Sequence, residues 1–135
     1  MSAAADTELA HEFYEAWNEG MAMAEFGAKY FAEDVEWHDQ PELPDARVHR
    51  GREAVVAMLD ELESTFGRAR CEIAKIEPVG DEILSSFTLR GTGSFSGVDV
   101  APLIAHLIRI RGGRIHRIRA FFTLEGAFFK AHMEE

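Results

Sequence analysis

Leu103-Ile104-Ala105-His106-Leu107-Ile108-Arg109-Ile110-Arg111-Gly112-Gly113-Arg114-Ile115-His116-Arg117-Ile118-Arg119-Ala120-Phe121-Phe122 is the stretch whose reading decides the fold. Two runs rich in β-branched residues flank a glycine pair, and paired glycines supply the positive φ angles that a two-residue hairpin loop demands. With that loop, Arg111 faces Arg114, Leu107 faces Ile118, Ala105 faces Ala120 and Leu103 faces Phe122. One hairpin face is then apolar away from the turn and forms the inner wall of the molecule. The opposite face carries Ile104, His106, Ile108 and Ile110 against Phe121, Arg119, Arg117 and Ile115. It is too apolar for simple solvent exposure, and reads as a partly covered outer surface with a homodimer contact through Ile104, Ile108 and Phe121. A one-residue bulge in this hairpin would exchange the faces.

Strand-like runs at 70–78, 82–91, 98–111 and 114–122 fill the second half of the chain, separated by glycine-bearing turns. The first half has a different period. From the capping residue Asp6 onward, Leu9, Phe13, Tyr14, Trp17 and Met21 recur at helical steps, and Gly20 ends the run. A second short helix over 22–31 buries Met23, Phe26, Tyr30 and Phe31 and stops at Glu33-Asp34; a third over 51–66 carries Val55, Met58, Leu59, Leu62 and Phe66 before Gly67. Between them lie a short strand, Val35-Glu36-Trp37-His38-Asp39-Gln40-Pro41, and a loop over 41–44 that two prolines keep irregular. Thr123 caps a last helical turn over 124–132 with Phe128 and Phe129. Helices first and strands after predict an α+β fold with the helices on one face of an antiparallel sheet.

The 135 residues, 47% hydrophobic and 28% charged, fit one domain over 1–135 with a real core. A net charge of -10 opposes binding to a phosphate backbone, so nucleic acid is not an expected partner. The single cysteine, Cys71, allows no internal disulfide and no paired-cysteine zinc site, which makes the cytoplasm the expected compartment. No apolar run approaches the roughly 18 to 20 residues a membrane span needs. None of the six histidines forms a helical pair at metal-ligand spacing, so no metal is expected.

Strand alternation puts Val35, Trp37 and Asp39 on one face. Desolvation beside Trp37 would raise the Asp39 carboxyl toward the working range of a general base. The competing reading is a carboxylate that caps a turn or pairs with an arginine near Gln40-Pro41. Tyr14 likewise has two readings, as a hydrogen-bond donor to a developing oxyanion in a dry pocket, or as a core tyrosine with its hydroxyl tied to a backbone group.

Four segments occur in a telling order: Phe13-Tyr14-Glu15-Ala16-Trp17-Asn18-Glu19-Gly20, Phe31-Ala32-Glu33-Asp34-Val35-Glu36-Trp37, His49-Arg50-Gly51-Arg52-Glu53-Ala54-Val55, and Gly112-Gly113-Arg114-Ile115 leading into Leu124-Glu125-Gly126-Ala127-Phe128. Together with Ser96-Gly97-Val98 they resemble the nuclear transport factor two-like superfamily and, within it, bacterial SnoaL-like proteins. The resemblance implies a cone: a strongly bent mixed or antiparallel sheet wrapped around N-terminal helices, a cystatin-like α+β barrel around a pocket. Ketosteroid isomerase, of the same superfamily, is similar at single residues. Its helix-one tyrosine, an oxyanion donor, falls on Tyr14, and its strand-one aspartate, the base, falls on Asp39. Its second donor, a neutral aspartic acid, falls on Ala105, which has no hydrogen to donate. The arginine and paired aspartates of the related epoxide hydrolases find no match, since Ala120 follows Arg119; His38, His49 and His106 keep open a scytalone-type dehydratase pair.

The resemblance therefore implies a small-molecule enzyme in which Asp39 moves a proton on an apolar carbonyl compound and Tyr14 steadies the enolate. Trp17, Trp37, Met58, Phe66, Phe87, Leu103, Ala105, Leu107, Ile118 and Phe122 are the expected ligand wall, suited to a terpenoid, steroid-like or polyketide-like molecule. No cofactor is expected, because proton transfer needs none. The alternative is a binding or interaction module without turnover, for which Ala105 is the main argument.

Overall fold

The computed structural model describes residues 3–67, 69–90 and 103–122, apart from the Phe66 side chain. Its elements are α1 (Ala3–Asn18), α2 (Met23–Tyr30), β1 (Phe31–His38), β2 (Val48–Arg50), α3 (Arg52–Phe66), β3 (Arg70–Val79), β4 (Glu82–Arg90), β5 (Leu103–Arg111) and β6 (Arg114–Phe121). One mixed sheet takes the order β2-β1-β6-β5-β4-β3, with β1 parallel to β6 and the other neighbours antiparallel. The α+β class is as expected, but β2 and β3 are free ends of the order, so the sheet is open where a barrel was anticipated. The helices lie on one face, α1 over β3 and α3 over β1 and β2. Between helices and sheet sits a core built on Phe13, Tyr14, Phe26, Phe31, Val35, Val55, Phe87, Ile108, Ile115 and Ile118. α2 and α3 approach closely at Gly27, where a Cβ would come within 2.5 Å of Val56 Cγ2.

Three local readings shift. α2 ends at Tyr30, and Phe31 opens β1 as a fully buried strand residue; Glu33 and Asp34 are exposed strand positions rather than a helix stop. β1 ends at His38, which leaves Asp39 in the loop beyond it. β2 was not expected: it has three residues, too few for a period, and pairs Trp37 with His49 and His38 with Val48. Residues 98–102 of the anticipated long strand and the helical turn over 124–132 lie outside the described residues.

The decisive hairpin turns as its glycines require, with φ of 59° at Gly112 and 75° at Gly113. Arg111 pairs with Arg114 and Ile110 with Ile115, as anticipated. The register then shifts: Arg109 meets Arg117, Ile108 meets Ile118, Leu107 meets Arg119, His106 meets Ala120 and Ala105 meets Phe121. β6 thus holds one extra residue, His116, a bulge. Ile115 and Ile118, three apart, would face opposite sides of a regular strand; the bulge lets both enter the core, where each is fully buried.

The bulge corrects the face of β5. Ile104, His106, Ile108 and Ile110 turn inward, while Leu103, Ala105 and Leu107 turn to the opposite face and leave the ligand wall. Leu103 is exposed there; Ala105 and Leu107 are buried with Leu84 and Phe121 in a separate small cluster. Ile104 and Ile108, two of the three residues assigned to a dimer contact, belong to the core.

Candidate functional site: a buried tyrosine and histidine in an apolar cavity

Helical spacing on α1 sends Phe13 and Tyr14 into the core. Ser85 on β4 and His106 on β5 are direct cross-strand partners, so their side chains leave the sheet on one face and meet the Tyr14 hydroxyl from below. Tyr14 Oη lies 2.5 Å from Ser85 Oγ and 2.7 Å from His106 Nδ1. The imidazole meets Trp37 edge-on at 5.2 Å between ring centroids and Phe87 at 4.9 Å. Burial lowers the His106 pKa to about 3, so the ring is neutral at physiological pH. Burial also pushes the Tyr14 hydroxyl far above its ordinary value, against the opposing hydrogen bond with Ser85. The site therefore presents two neutral hydrogen-bonding groups in dry surroundings.

These groups border a cavity of about 430 Å³. Phe13, Trp17, Phe26, Trp37, Leu59 and Phe87 supply apolar wall, and exposed Leu43, Leu62 and Phe122 mark the rim with Gln40 and Glu63. Cys71 also borders it, its thiol raised by burial to about 12 and so held protonated. Trp17 Nε1 donates to the Ala69 carbonyl at 2.7 Å, and the Asn18 amide brackets the Cys71 backbone at 2.8 and 2.9 Å, which fixes the end of α1 against β3.

Of the wall residues anticipated from sequence, Trp17, Trp37, Phe87 and Phe122 border this cavity, as does Tyr14, anticipated as the oxyanion donor. Met58 packs against the core from α3 and Ile118 is buried within it, neither of them at the cavity. The Phe66 side chain lies outside the described residues. Sequence reasoning missed His106 and Ser85 as site residues; the odd Ile115 to Ile118 spacing was the signal that could have turned His106 inward.

Asp39 is not among the described residues that border the cavity. Its carboxylate accepts from His49 Nε2 at 3.1 and 3.2 Å and from the Arg47 backbone N–H at 3.3 Å. The Asp39 N–H in turn donates to the Arg47 carbonyl at 3.1 Å, closing the loop over 40–46. His49 is the cross-strand partner of Trp37, so the histidine leaves β2 on the cavity side of the sheet. Among the described residues, no three His, Cys, Asp or Glu side chains converge as metal ligands would, and no helix is long and apolar enough to cross a membrane.

Residues 10–118 match the family model of the SnoaL-like domain. No curated protein matches the chain. Among solved structures, a protein of unknown function with a cystatin-like fold from Xanthomonas campestris is 24% identical, with a TM-score of 0.72 over 90% of this chain and 95% of that one. A protein from Catenulispora acidiphila DSM 44928 with a ketosteroid isomerase-like fold, solved with trimethylamine, is 20% identical, with a TM-score of 0.71 over 93% and 92% of the two chains. A protein from Jannaschia sp. CCS1 named as a SnoaL-like polyketide cyclase is 18% identical, with a TM-score of 0.73 over 96% and 92%. Identities this low establish the fold, and the chemistry has to be argued from the site.

Proposed function

From the premise that this chain belongs to the SnoaL-like domain family, we propose that it is a small-molecule enzyme moving a proton on an apolar, carbonyl-bearing substrate, as an isomerase, cyclase or dehydratase does. The observation that carries this reading is the neutral Tyr14–His106 pair at the wall of an apolar cavity. Charge growing on a carbonyl oxygen in dry surroundings gains most from a donor already in position, worth about 2.7 to 4 kcal/mol for one donor. The β5 register adds support. Beside Tyr14 stands His106 instead of the Ala105 methyl, so the missing second polar group of the isomerase resemblance has a counterpart.

In this reading Asp39 is the proton carrier, working from the rim with its carboxylate oriented by His49. The engagement of Asp39 by His49 and Arg47, away from the cavity wall, favours a second reading: a binding module without turnover. Exchange of α-hydrogens for deuterium in cyclic and aryl ketones, followed by NMR in heavy water, separates the two. Proton transfer predicts exchange by the native chain, slowed about a hundredfold or more in Asp39→Asn and by a similar factor in His106→Leu. Ketones that bind without any exchange would establish the module instead.

A further inference from the structure

We propose that the buried hydrogen-bond chain has one direction, from Ser85 through Tyr14 to His106, so that His106 offers its Nε2–H to the cavity while Ser85 and Tyr14 act as positioning residues behind it. The proposal rests on the reading above in one respect, that substrate occupies this cavity.

The number of hydrogens available to the three groups sets the direction. A tyrosine hydroxyl has one hydrogen to give, and Tyr14 has two close partners. In the forward arrangement Ser85 donates to Tyr14 and Tyr14 donates to His106 Nδ1. Nδ1 is then the acceptor nitrogen, and the ring hydrogen sits on Nε2. In the reverse arrangement Nδ1–H donates to Tyr14 and Tyr14 donates to Ser85. The Ser85 hydrogen is then left over. Ser85 is fully buried, and its hydroxyl has no other hydrogen bond among the described residues. A buried donor without an acceptor costs more than a typical bond returns, so the forward direction wins. His106 Nε2 likewise has no partner among the described residues, and the ring borders the cavity. Its hydrogen is therefore directed to whatever fills that space.

Two consequences follow for the ligand. The deep end of the cavity reads a hydrogen-bond acceptor, such as the oxygen of a ketone, ester, quinone or enolate. His106 is a donor there and not a base, and Tyr14, its hydrogen committed to Nδ1, acts on the ligand only through the imidazole.

Nitrogen-15 NMR of the full chain at neutral pH reports which ring nitrogen carries hydrogen, with the His106 signals assigned by their loss in His106→Gln. The expected result is hydrogen on Nε2; hydrogen on Nδ1 overturns the proposal. Ser85→Ala should keep the Nε2–H form, because the Tyr14 hydrogen still has only His106 to meet, and a switch to Nδ1–H counts against it. Tyr14→Phe should let the two forms mix, and an unmoved His106 spectrum in a folded variant would exclude the chain. For the ligand, 2-acetylnaphthalene is compared with 2-isopropenylnaphthalene, which carries CH2 in place of the oxygen, by quenching of tryptophan fluorescence. The ketone should bind about tenfold tighter to the native chain, and the ratio should fall toward one in His106→Leu. Equal binding to the native chain would overturn the acceptor-reading end. None of these measurements needs turnover: bound ketones that never exchange α-hydrogens sink the enzyme reading alone, while hydrogen on Nδ1 sinks this proposal alone.

Discussion

His106 is held neutral by its surroundings, and that has a sign in stability. The unfolded chain binds a proton at this ring near the ordinary value of 6.5, whereas the folded chain binds it only near about 3. The stability that depends on the neutral ring is complete above the upper value and is lost as pH falls from there toward the lower one. Urea denaturation across that window should show a loss on the order of a few kcal/mol, and His106→Gln should flatten this limb while His116→Gln retains it. Glu36, kept low first by its hydrogen bond with His38, adds loss in the same direction, below its own ordinary value of 4.5. A second prediction concerns Tyr14→Phe. It strands Ser85 Oγ and His106 Nδ1, and should cost about 1 to 3 kcal/mol of unfolding free energy. Tyr14 was legible from sequence because a helical period fixes its direction whatever the distant contacts are. His106 was not, since the face of a strand residue hangs on pairing register, and register was decided by a residue ten positions away.

At the scale of elements, the helices could be read almost to their ends, because α1 and α3 bury apolar residues at regular steps and stop at Gly20 and Gly67. β2 escaped because three residues carry no alternation, and the start of β1 was hidden by an aromatic run, Tyr30-Phe31, that suits either period. The hairpin loop was legible from its glycines, and the bulge just beyond it was not. Deleting His116 tests how much rests on that bulge. Without His116, Ile115 and Ile118 stand two apart on one face, and the pairs from Arg109–Arg117 to Ala105–Phe121 continue unbroken from Ile110–Ile115. Arg119 then stays buried against Glu82, which it meets at 2.7 Å on the face away from the core, and both charges remain matched. The expected outcome is a retained near-ultraviolet circular dichroism signal and cooperative unfolding. Loss of the cooperative transition in the deletion variant would show that the bulge itself, beyond the register it joins, holds the sheet together.

For the whole molecule, a cavity of about 430 Å³ inside a small domain links ligand to fold. A ligand held only by the folded form at a hundred times its dissociation constant should add about 2.7 kcal/mol of stability. Thermal unfolding with increasing 2-acetylnaphthalene should therefore move upward without a plateau, and His106→Leu should need more ligand for the same rise. The extra residue in β6 also bears on how such domains diversify. It absorbs a difference in strand length: Arg109 meets Arg117 and His106 meets Ala120 whether or not His116 stands between Ile115 and Arg117, so the cavity meets His106 either way. Gain or loss of one residue at the closed end of a hairpin can thus pass in a single genetic step without exchanging the faces of its strands, leaving every position that touches the ligand where it was.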